Sequence, residues 1–459
     1  MTLKVLKFGG SSVGSPEAMG RAAAIVLEEL PQGGLVVVSA LKGSTDRILE
    51  AVVLAGKGDA AQARLVQEVL EAHHRKTASA LGLLEDVREV WAPIFERLAK
   101  LLGGMAMLGE ATPRARDAAL AVGETLSAHL FAALLAQRGA RASFREVGEV
   151  LHTDARFGQA RPHLPAIRKA AQAWARELNS GATFVTQGFL GAAPDGAITT
   201  LGRGGSDTSA SLLGEALDAA EVQIWTDVDG VLSADPSLVP EARPIPVMSL
   251  AEATSLTAFG AKVLHPDSLA PIARSGIRLV VANTLRPHAS RTAILPEAAI
   301  PLEGRGEGVV SVAYKEGLVI LRLPASRSLL ADATARAAQV EEAGAHRFGF
   351  LVTPEGALIV LRPETPAARQ LLTQWQQEGL ELEEGWAVVA LVGEGLRKDP
   401  AAKLRLLEPL GADAGAIGGL LAGCSTISTA ALVREHRLAD LIPRLHRAWV
   451  ETSLTSASV

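Results

Sequence analysis

One cysteine in 459 residues, Cys424, cannot close an internal disulfide and sits in no metal-ligand spacing. A lone cysteine of this kind reads as a small core residue. The ten histidines are scattered apart from His73-His74, and no zinc pattern emerges. Basic charge is not in excess: the formal net charge is −5, so the basic face that nucleic acid demands is missing. No run of about 18 uncharged apolar residues occurs, and no basic-then-apolar leader opens the chain. These absences point away from nucleic acid and membrane and make the cytoplasm the expected compartment. Lysine is also scarce, 11 against 34 arginines. Lys7 and Lys262 nevertheless fall inside glycine-containing motifs, which hints that these positions need an ammonium and not a planar fork.

What remains is an ordinary globular composition, 48% hydrophobic and 21% charged, long enough for two or three domains. The chain opens on Lys4-Val5-Leu6-Lys7-Phe8, a strand pattern, and breaks into Gly9-Gly10-Ser11-Ser12. Ser15-Pro16-Glu17 then starts a helix with an N-cap, a first-turn proline and a first-turn acid. A strand, a Gly-rich turn and a helix N-terminus together offer backbone N–H groups to a phosphate, with Lys7 beside them. An ordinary β–α turn with a surface lysine fits equally well. The spacing is neither that of a Walker loop nor G-x-G-x-x-G.

Further strands are expected at Gly33–Ser39, Gly181–Phe189, Ala197–Leu201, Val222–Trp225 and Arg278–Asn283. After the second strand, Ser44 or Thr45 would cap a helix, and the Thr45 hydroxyl could instead face the strand-end crevice. Residues 57–115 read as helical and polar, an excursion or a lid over one sheet edge. Leu120, Glu124, Ser127, Phe131 and Leu134 share one helical stripe. A carboxylate at Glu124 on that stripe needs either a structural ion pair or a ligand ammonium. Gly202-Arg203-Gly204-Gly205-Ser206-Asp207 is a Gly-rich turn in which Ser206 or Asp207 would cap a helix, while Arg203 suits a carboxylate. Thr226-Asp227-Val228-Asp229 lacks EF-hand spacing; a phosphate-bound metal or a ribose fits it. Lys262 falls in the last turn of a helix begun near Ser249, where it could serve the helix dipole. The pattern loosens over residues 287–308, marking a domain boundary, and two βαββαβ-like units follow before a fraying tail at 451–459.

Four motifs taken together resemble the aspartate kinase family. They are Lys7-Phe8-Gly9-Gly10-Ser11-Ser12-Val13, Leu201–Asp207, Thr226-Asp227-Val228-Asp229-Gly230 and Phe259-Gly260-Ala261-Lys262-Val263-Leu264-His265-Pro266, in the family's order and spacing. The resemblance implies a mainly parallel open α/β sheet sandwiched by helices over residues 1–300. Two βαββαβ ACT-like modules would follow at 309–385 and 386–452. It implies ATP-dependent phosphorylation of L-aspartate to 4-phospho-L-aspartate, the entry to lysine, threonine and methionine synthesis. By position, Lys7 would stabilise the transferring phosphoryl group, Asp207 would orient Lys7, and the Gly9 and Gly10 amides, with Phe8, would meet the phosphates. Thr45, Glu124 and Arg203, with Gly204, Gly205 and Ser206, would hold aspartate. Thr226, Asp227, Lys262 and Val263 would contact the nucleotide. Mg2+ would ride on the ATP phosphates, with no dedicated protein metal site. An effector, lysine or threonine, would bind the ACT-like modules, through which a homodimer would form. The chain departs from the family at Leu232 and Ser237, where relatives often carry Tyr and Arg. It departs again at Pro324-Ala325-Ser326-Arg327 and Ser425-Thr426-Ile427-Ser428 in the C-terminal modules. Two other readings compete: a sister kinase acting on glutamate or acetylglutamate, and a silent amino-acid sensor.

Overall fold

The computed structural model describes residues 2–260, 263–296, 308–398, 417–420 and 425–451. The chain divides into two compact units. The first draws on Met1–Val231, Pro244–Leu250 and Val263–Ile300, the second on Leu232–Arg243, Ala251–Lys262 and Pro301–Val459.

In the first unit the strands are β1 (Lys4–Phe8), β2 (Gly34–Val38), β3 (Ala142–Phe144), β4 (Thr183–Gln187), β5 (Leu190–Ala192), β6 (Ile198–Thr200), β7 (Glu221–Thr226), β8 (Val247–Ser249), β9 (Arg278–Asn283) and β10 (Thr292–Leu295). Eight of them form one sheet in the order β3-β4-β2-β1-β7-β9-β10-β8, and β5 pairs separately with β6. Every neighbouring pair in the large sheet is parallel except β9 with β10. A parallel sheet with both faces covered asks for continuous apolar strands. Gly-Leu-Val-Val-Val in β2 meets that demand, with all five residues buried. β1 lies centrally, between β2 and β7, so the connections leaving it and returning to it lie on opposite sides of the sheet. Such a reversal of strand order opens a crevice at the carboxyl ends of the strands.

The helices of this unit include α1 (Pro16–Glu29), α2 (Ser44–Gly56), α3 (Ala60–Ala80), α4 (Leu84–Leu108), α5 (Pro113–Gln137), α6 (Leu164–Leu178) and α7 (Gly205–Ala216). α1 begins as its sequence indicates: Ser15 Oγ accepts from Ala18 N at 3.2 Å and Pro16 opens the first turn. Two other helix starts differ from expectation. Neither Ser44 nor Thr45 caps α2, and neither Ser206 nor Asp207 caps α7. The caps are Gly43 (φ +79°) and Gly204 (φ +70°), a left-handed backbone that glycine adopts without steric penalty. The hydroxyl and carboxylate side chains are thereby displaced into the first helical turn, free of capping duty.

Residues 57–115 are largely helical, as expected, and Asp86, Val87 and Val90 of α4 line a small cavity with the edge strand β3. α3 and α4 pack on α2 and α5, burying His74, Trp91 and Phe95 in the main core. α5 is long and apolar enough to cross a membrane, yet 78% of that stretch is buried inside this fold. Phe131 on α5 meets Phe8 of β1 at 5.8 Å between ring centroids.

The second unit is built on an antiparallel sheet of order β12-β13-β11-β14-β16-β15. Its strands are β11 (Ser311–Pro324), β12 (Ala345–Thr353), β13 (Gly356–Pro363), β14 (Glu381–Val392), β15 (Ile417–Leu420) and β16 (Ser428–Arg434). Helices α10 (Leu329–Glu342) and α11 (Pro366–Gln377) bury Ala333, Ala337, Leu372 and Trp375 in a core with Leu321 and Ile359. The strand β14 serves both halves of the sheet: Glu381–Val392 pairs along β11, and Trp386–Val392 also pairs with β16. The helix expected at 400–410, Cys424 and the tail from residue 452 lie outside the described residues.

If α3 and α4 belong to the cooperative core, Trp91→Ala should cost about 3–5 kcal/mol. Urea unfolding would measure it, and a loss below about 1 kcal/mol would detach this layer from the core.

Candidate active site

The Gly-rich turn after β1 is compact because its own backbone closes it. Ser12 N and Val13 N both donate to Gly9 O, at 2.9 and 3.2 Å. Ser12 Oγ lies 3.2 Å from Trp225 O and 2.7 Å from Thr284 Oγ1, fastening the turn to β7 and to the chain after β9. A Cβ at Gly14 would stand 2.7 Å from Gly10 O and from Lys42 Cβ, so this position needs glycine.

Lys7, one residue before the end of β1, is only 8% exposed. Its Nζ lies 2.6 Å from Oδ1 of Asp207 in the first turn of α7. Gly204 brings Asp207 there. A side chain at residue 204 would collide with the ring of His265, whose Cβ lies 2.3 Å from the would-be Cβ. His265 is itself the cap of α9 (Pro266–Ser275).

These groups surround a cavity of about 430 Å3 at the carboxyl ends of β1 and β2. Lys7, Gly10, Thr45, Glu124, Arg203, Gly204, Gly205, Ser206 and Asp207 all line it. Glu124 is 4% exposed, and its Oε1 accepts from Ala40 N at 3.4 Å. Its Oε2 has no hydrogen-bond partner among the described residues, and no ion pair forms there. Burial pushes the carboxyl up to about 8, against weaker lowering by backbone hydrogen bonds. The structural ion pair that the stripe position allowed is therefore absent among the described residues. Arg203 is exposed to the cavity and likewise makes no hydrogen bond or ion pair within the described residues.

Ser39, Lys42 and Phe189 also line the cavity, and sequence reasoning assigned them no part in it. Phe189 has φ +70°, a strained conformation for an aromatic residue, and its N–H donates to Ser209 Oγ at 2.9 Å. The Gly188-Phe189 pair at the end of β4 was the available signal. It reads as continued strand, whereas β4 ends at Gln187.

Of the residues expected on the nucleotide side, Lys7 and Gly10 line this cavity, whereas Phe8, Gly9, Thr226, Asp227 and Val263 do not. The Phe8 side chain is fully buried between Phe131 and Trp225. Gly9 and Thr226 occupy adjacent strand ends, since Phe8 pairs with Trp225 across β1 and β7. Thr226 Oγ1 donates to Asp227 Oδ1 at 3.2 Å, and Asp227 is exposed. Asp229 is engaged by Asn283 Nδ2 at 2.6 Å and Arg286 at 2.5 Å. Among the described residues no three His, Cys, Asp or Glu side chains group as a metal site. Helix α8 (Leu250–Ala258) stops four residues short of Lys262, which lies outside the described residues; Val263 follows in a bend before α9. The departures Leu232 and Ser237 belong to the second unit, where Ser237 N and Oγ both donate to Asp235 Oδ1.

A central parallel strand feeding a Gly-rich turn, with a lysine–aspartate pair at its carboxyl end, defines a class. The sequence profile of the amino acid kinase family matches residues 2–283, and the chain belongs to that family. Within it the similarity is to aspartokinases. Over 426 residues the chain is 35% identical to lysine-sensitive aspartokinase 3 of Escherichia coli (strain K12), covering 86% of this chain and 88% of that protein. Aspartokinase 1, chloroplastic, of Arabidopsis thaliana is 30% identical over 98% of this chain and 80% of its own. The solved structure of E. coli aspartokinase III in complex with aspartate and ADP matches with a TM-score of 0.80 at 30% identity, over 97% of this chain and 99% of that one.

The state of Glu124 makes a prediction about stability. Below pH 4.5 the carboxyl is neutral folded and unfolded; between 4.5 and about 8 only the unfolded chain ionises, so stability falls as pH rises through that window. Above it the loss is complete. Glu124→Gln should abolish this slope, giving a higher Tm than the unsubstituted chain at about pH 8.5 and an equal contribution at about pH 4. A lower Tm at the alkaline pH would contradict a buried, unpaired carboxyl.

Proposed function

We propose that the cavity binds L-aspartate beside ATP and transfers the γ-phosphoryl group to the aspartate side chain, giving 4-phospho-L-aspartate and ADP. The observation that carries this reading is the pair of unpartnered groups in one cavity, the buried Glu124 carboxyl and the Arg203 guanidinium, with the Lys7–Asp207 pair on the same wall. An α-amino acid supplies both missing partners: its ammonium for Glu124, ionising it, and its α-carboxylate for the fork of Arg203. Thr45 donates a hydroxyl, and the Gly204-Gly205-Ser206 turn brings backbone within reach. The related E. coli enzyme was solved with aspartate and ADP, which supports the same substrates here.

The acceptor carboxylate is already ionised, so no strong base is needed. One of its oxygens bonds to the γ-phosphorus as the bond to the β-phosphate oxygen breaks, and that electron pair leaves with ADP. Lys7 neutralises charge on the transferring group, held in place by Asp207. The Gly9 and Gly10 turn meets the phosphates, and Thr226, Asp227, Lys262 and Val263 contact the nucleoside side. Positioning and charge neutralisation carry most of such a reaction. Mg2+ accompanies the ATP phosphates; of the acidic groups nearby, Asp207 is committed to Lys7 and Asp229 to Asn283 and Arg286.

Residues 1–300 form the catalytic domain in this reading, with paired ACT-like modules at 309–385 and 386–452. An amino-acid effector, lysine or threonine, acts on the modules, and a homodimer forms through them. Lysine has the better support: the E. coli relative is named lysine-sensitive, and aspartokinase III of E. coli was also solved with lysine and aspartate. The reaction opens lysine, threonine and methionine synthesis, and the enzyme works in the cytoplasm.

Lys7→Ala should lower kcat by about a hundredfold to a thousandfold in a chain that still folds, with Tm lowered because Asp207 loses its partner. Near-normal turnover would remove Lys7 from the transition state. Arg203→Ala should raise KM for aspartate by about tenfold or more, with KM for ATP changed by less than about twofold. Equal rises in both would contradict a carboxylate clamp.

A further inference from the structure

A second buried carboxylate on α5 stands outside the cavity. Asp117 is 1% exposed, and burial pushes its pKa up. It forms no ion pair within the described residues. Instead its Oδ2 accepts from Gly158 N and from Thr200 N, each at 2.8 Å, and its Oδ1 accepts from Thr200 Oγ1 at 3.0 Å. A buried charge held by hydrogen bonds alone is a poor choice for stability, where an apolar residue would serve as well or better. Its partners suggest what it does.

Thr200 ends β6, three residues before Arg203. Its carbonyl accepts from Ala160 N at 2.9 Å, and Leu201 N donates to Phe189 O at 2.9 Å. Gly202 follows with φ +80°, its would-be Cβ 3.2 Å from the carbonyl oxygen of Gly158, the other residue that Asp117 holds. The turn that presents Arg203 is thus tied down on the side of Thr200 and Gly158, while the guanidinium has no tether of its own. Glu124 lies seven residues beyond Asp117 on the same helix, nearly two turns and about 10 Å along its axis. One rigid element therefore carries both the ammonium-binding carboxylate and the anchor of the carboxylate-binding arginine.

We propose that Asp117 is a positioning residue: by clamping Thr200 and Gly158 it fixes Arg203 relative to Glu124, and with it the geometry of the site that holds the α-carboxylate and α-ammonium of the amino acid. This rests on the reading of Arg203 and Glu124 as the two ends of an aspartate clamp. Losing the anchor loosens the clamp without touching Lys7 or the phosphate turn. Binding of the amino acid then suffers, whatever its side chain, while ATP binding and the chemical step do not.

The test measures kcat and KM for aspartate, glutamate and Mg-ATP in Asp117→Asn and Thr200→Val, with Arg203→Ala alongside and a thermal melt of each. In Asp117→Asn, KM for aspartate should rise about tenfold with the aspartate-over-glutamate ratio of kcat/KM little changed; KM for ATP and kcat should change by less than about threefold. Thr200→Val, which removes one of the three hydrogen bonds, should show the same split at smaller size. It decides the question if Asp117→Asn does not fold. A lowered Tm with KM for aspartate unchanged, or equal rises in KM for both substrates, would overturn the proposal. If Arg203→Ala raises KM for aspartate while the other two variants do not, the clamp stands and the role of Asp117 falls. If Arg203→Ala also leaves it unchanged, the clamp reading itself is wrong.

Discussion

The ion pair between Lys7 and Asp207 joins the two parts of the chain that must meet for the site to exist. One partner ends the central strand; the other opens a helix whose sequence lies two hundred residues later. At 2.6 Å and largely out of water, the pair costs desolvation on both sides and repays it only while both groups are held in register. The surrounding features serve that register. Parallel pairing of β1 with β2 and β7 fixes where Lys7 emerges, and the left-handed backbone of Gly204 turns the chain so that Asp207 faces it. Because His265 occupies the space a side chain at 204 would fill, a third segment depends on the same glycine.

Around this satisfied pair the cavity leaves other charges unsatisfied. Glu124 has a buried oxygen without a partner, and Arg203 finds no carboxylate. In a protein shaped only for stability such groups would be paired or replaced. Their presence in one cavity of about 430 Å3 describes a ligand by its complement: small, with a cationic and an anionic end and a further acceptor to present to Lys7. An arrangement of this kind binds the zwitterion of an amino acid more strongly than either charged group alone, since the ammonium relieves the buried Glu124 carboxyl and the carboxylate takes the free fork of Arg203. The same preorganisation suits phosphoryl transfer, where donors and charges fixed in advance do not have to reorganise as charge moves.

Much of the site could be read before any coordinates. Gly-rich turns that interrupt apolar strands announce places where backbone must come close to something. Lys7, Arg203 and Asp207 were found for that reason, and Glu124 because a carboxylate on an apolar stripe demands explanation. The helix caps misled, since Ser44, Thr45, Ser206 and Asp207 are all good capping residues. Only the backbone angles reveal that the preceding glycines do the work. Phe189 was passed over because Gly188-Phe189 reads as continued strand, and positive φ in an aromatic residue runs against every propensity. Asp117 was invisible for a different reason: its partners, Gly158 and Thr200, are distant in sequence and ordinary in type. In the second unit the alternation of strand and helix was legible, but the sharing of β14 between two halves of one sheet depends on pairings that local pattern does not encode.

The central claim is that this cavity phosphorylates a carboxylate of aspartate. Its most direct test is hydroxylamine trapping of the acyl phosphate, with Mg-ATP and L-aspartate supplied to the purified full chain and L-glutamate supplied in parallel. The account predicts aspartyl hydroxamate in amounts matching the ADP released, with little or none from glutamate. Hydroxamate from glutamate in place of aspartate, or ADP released without any hydroxamate, would contradict it.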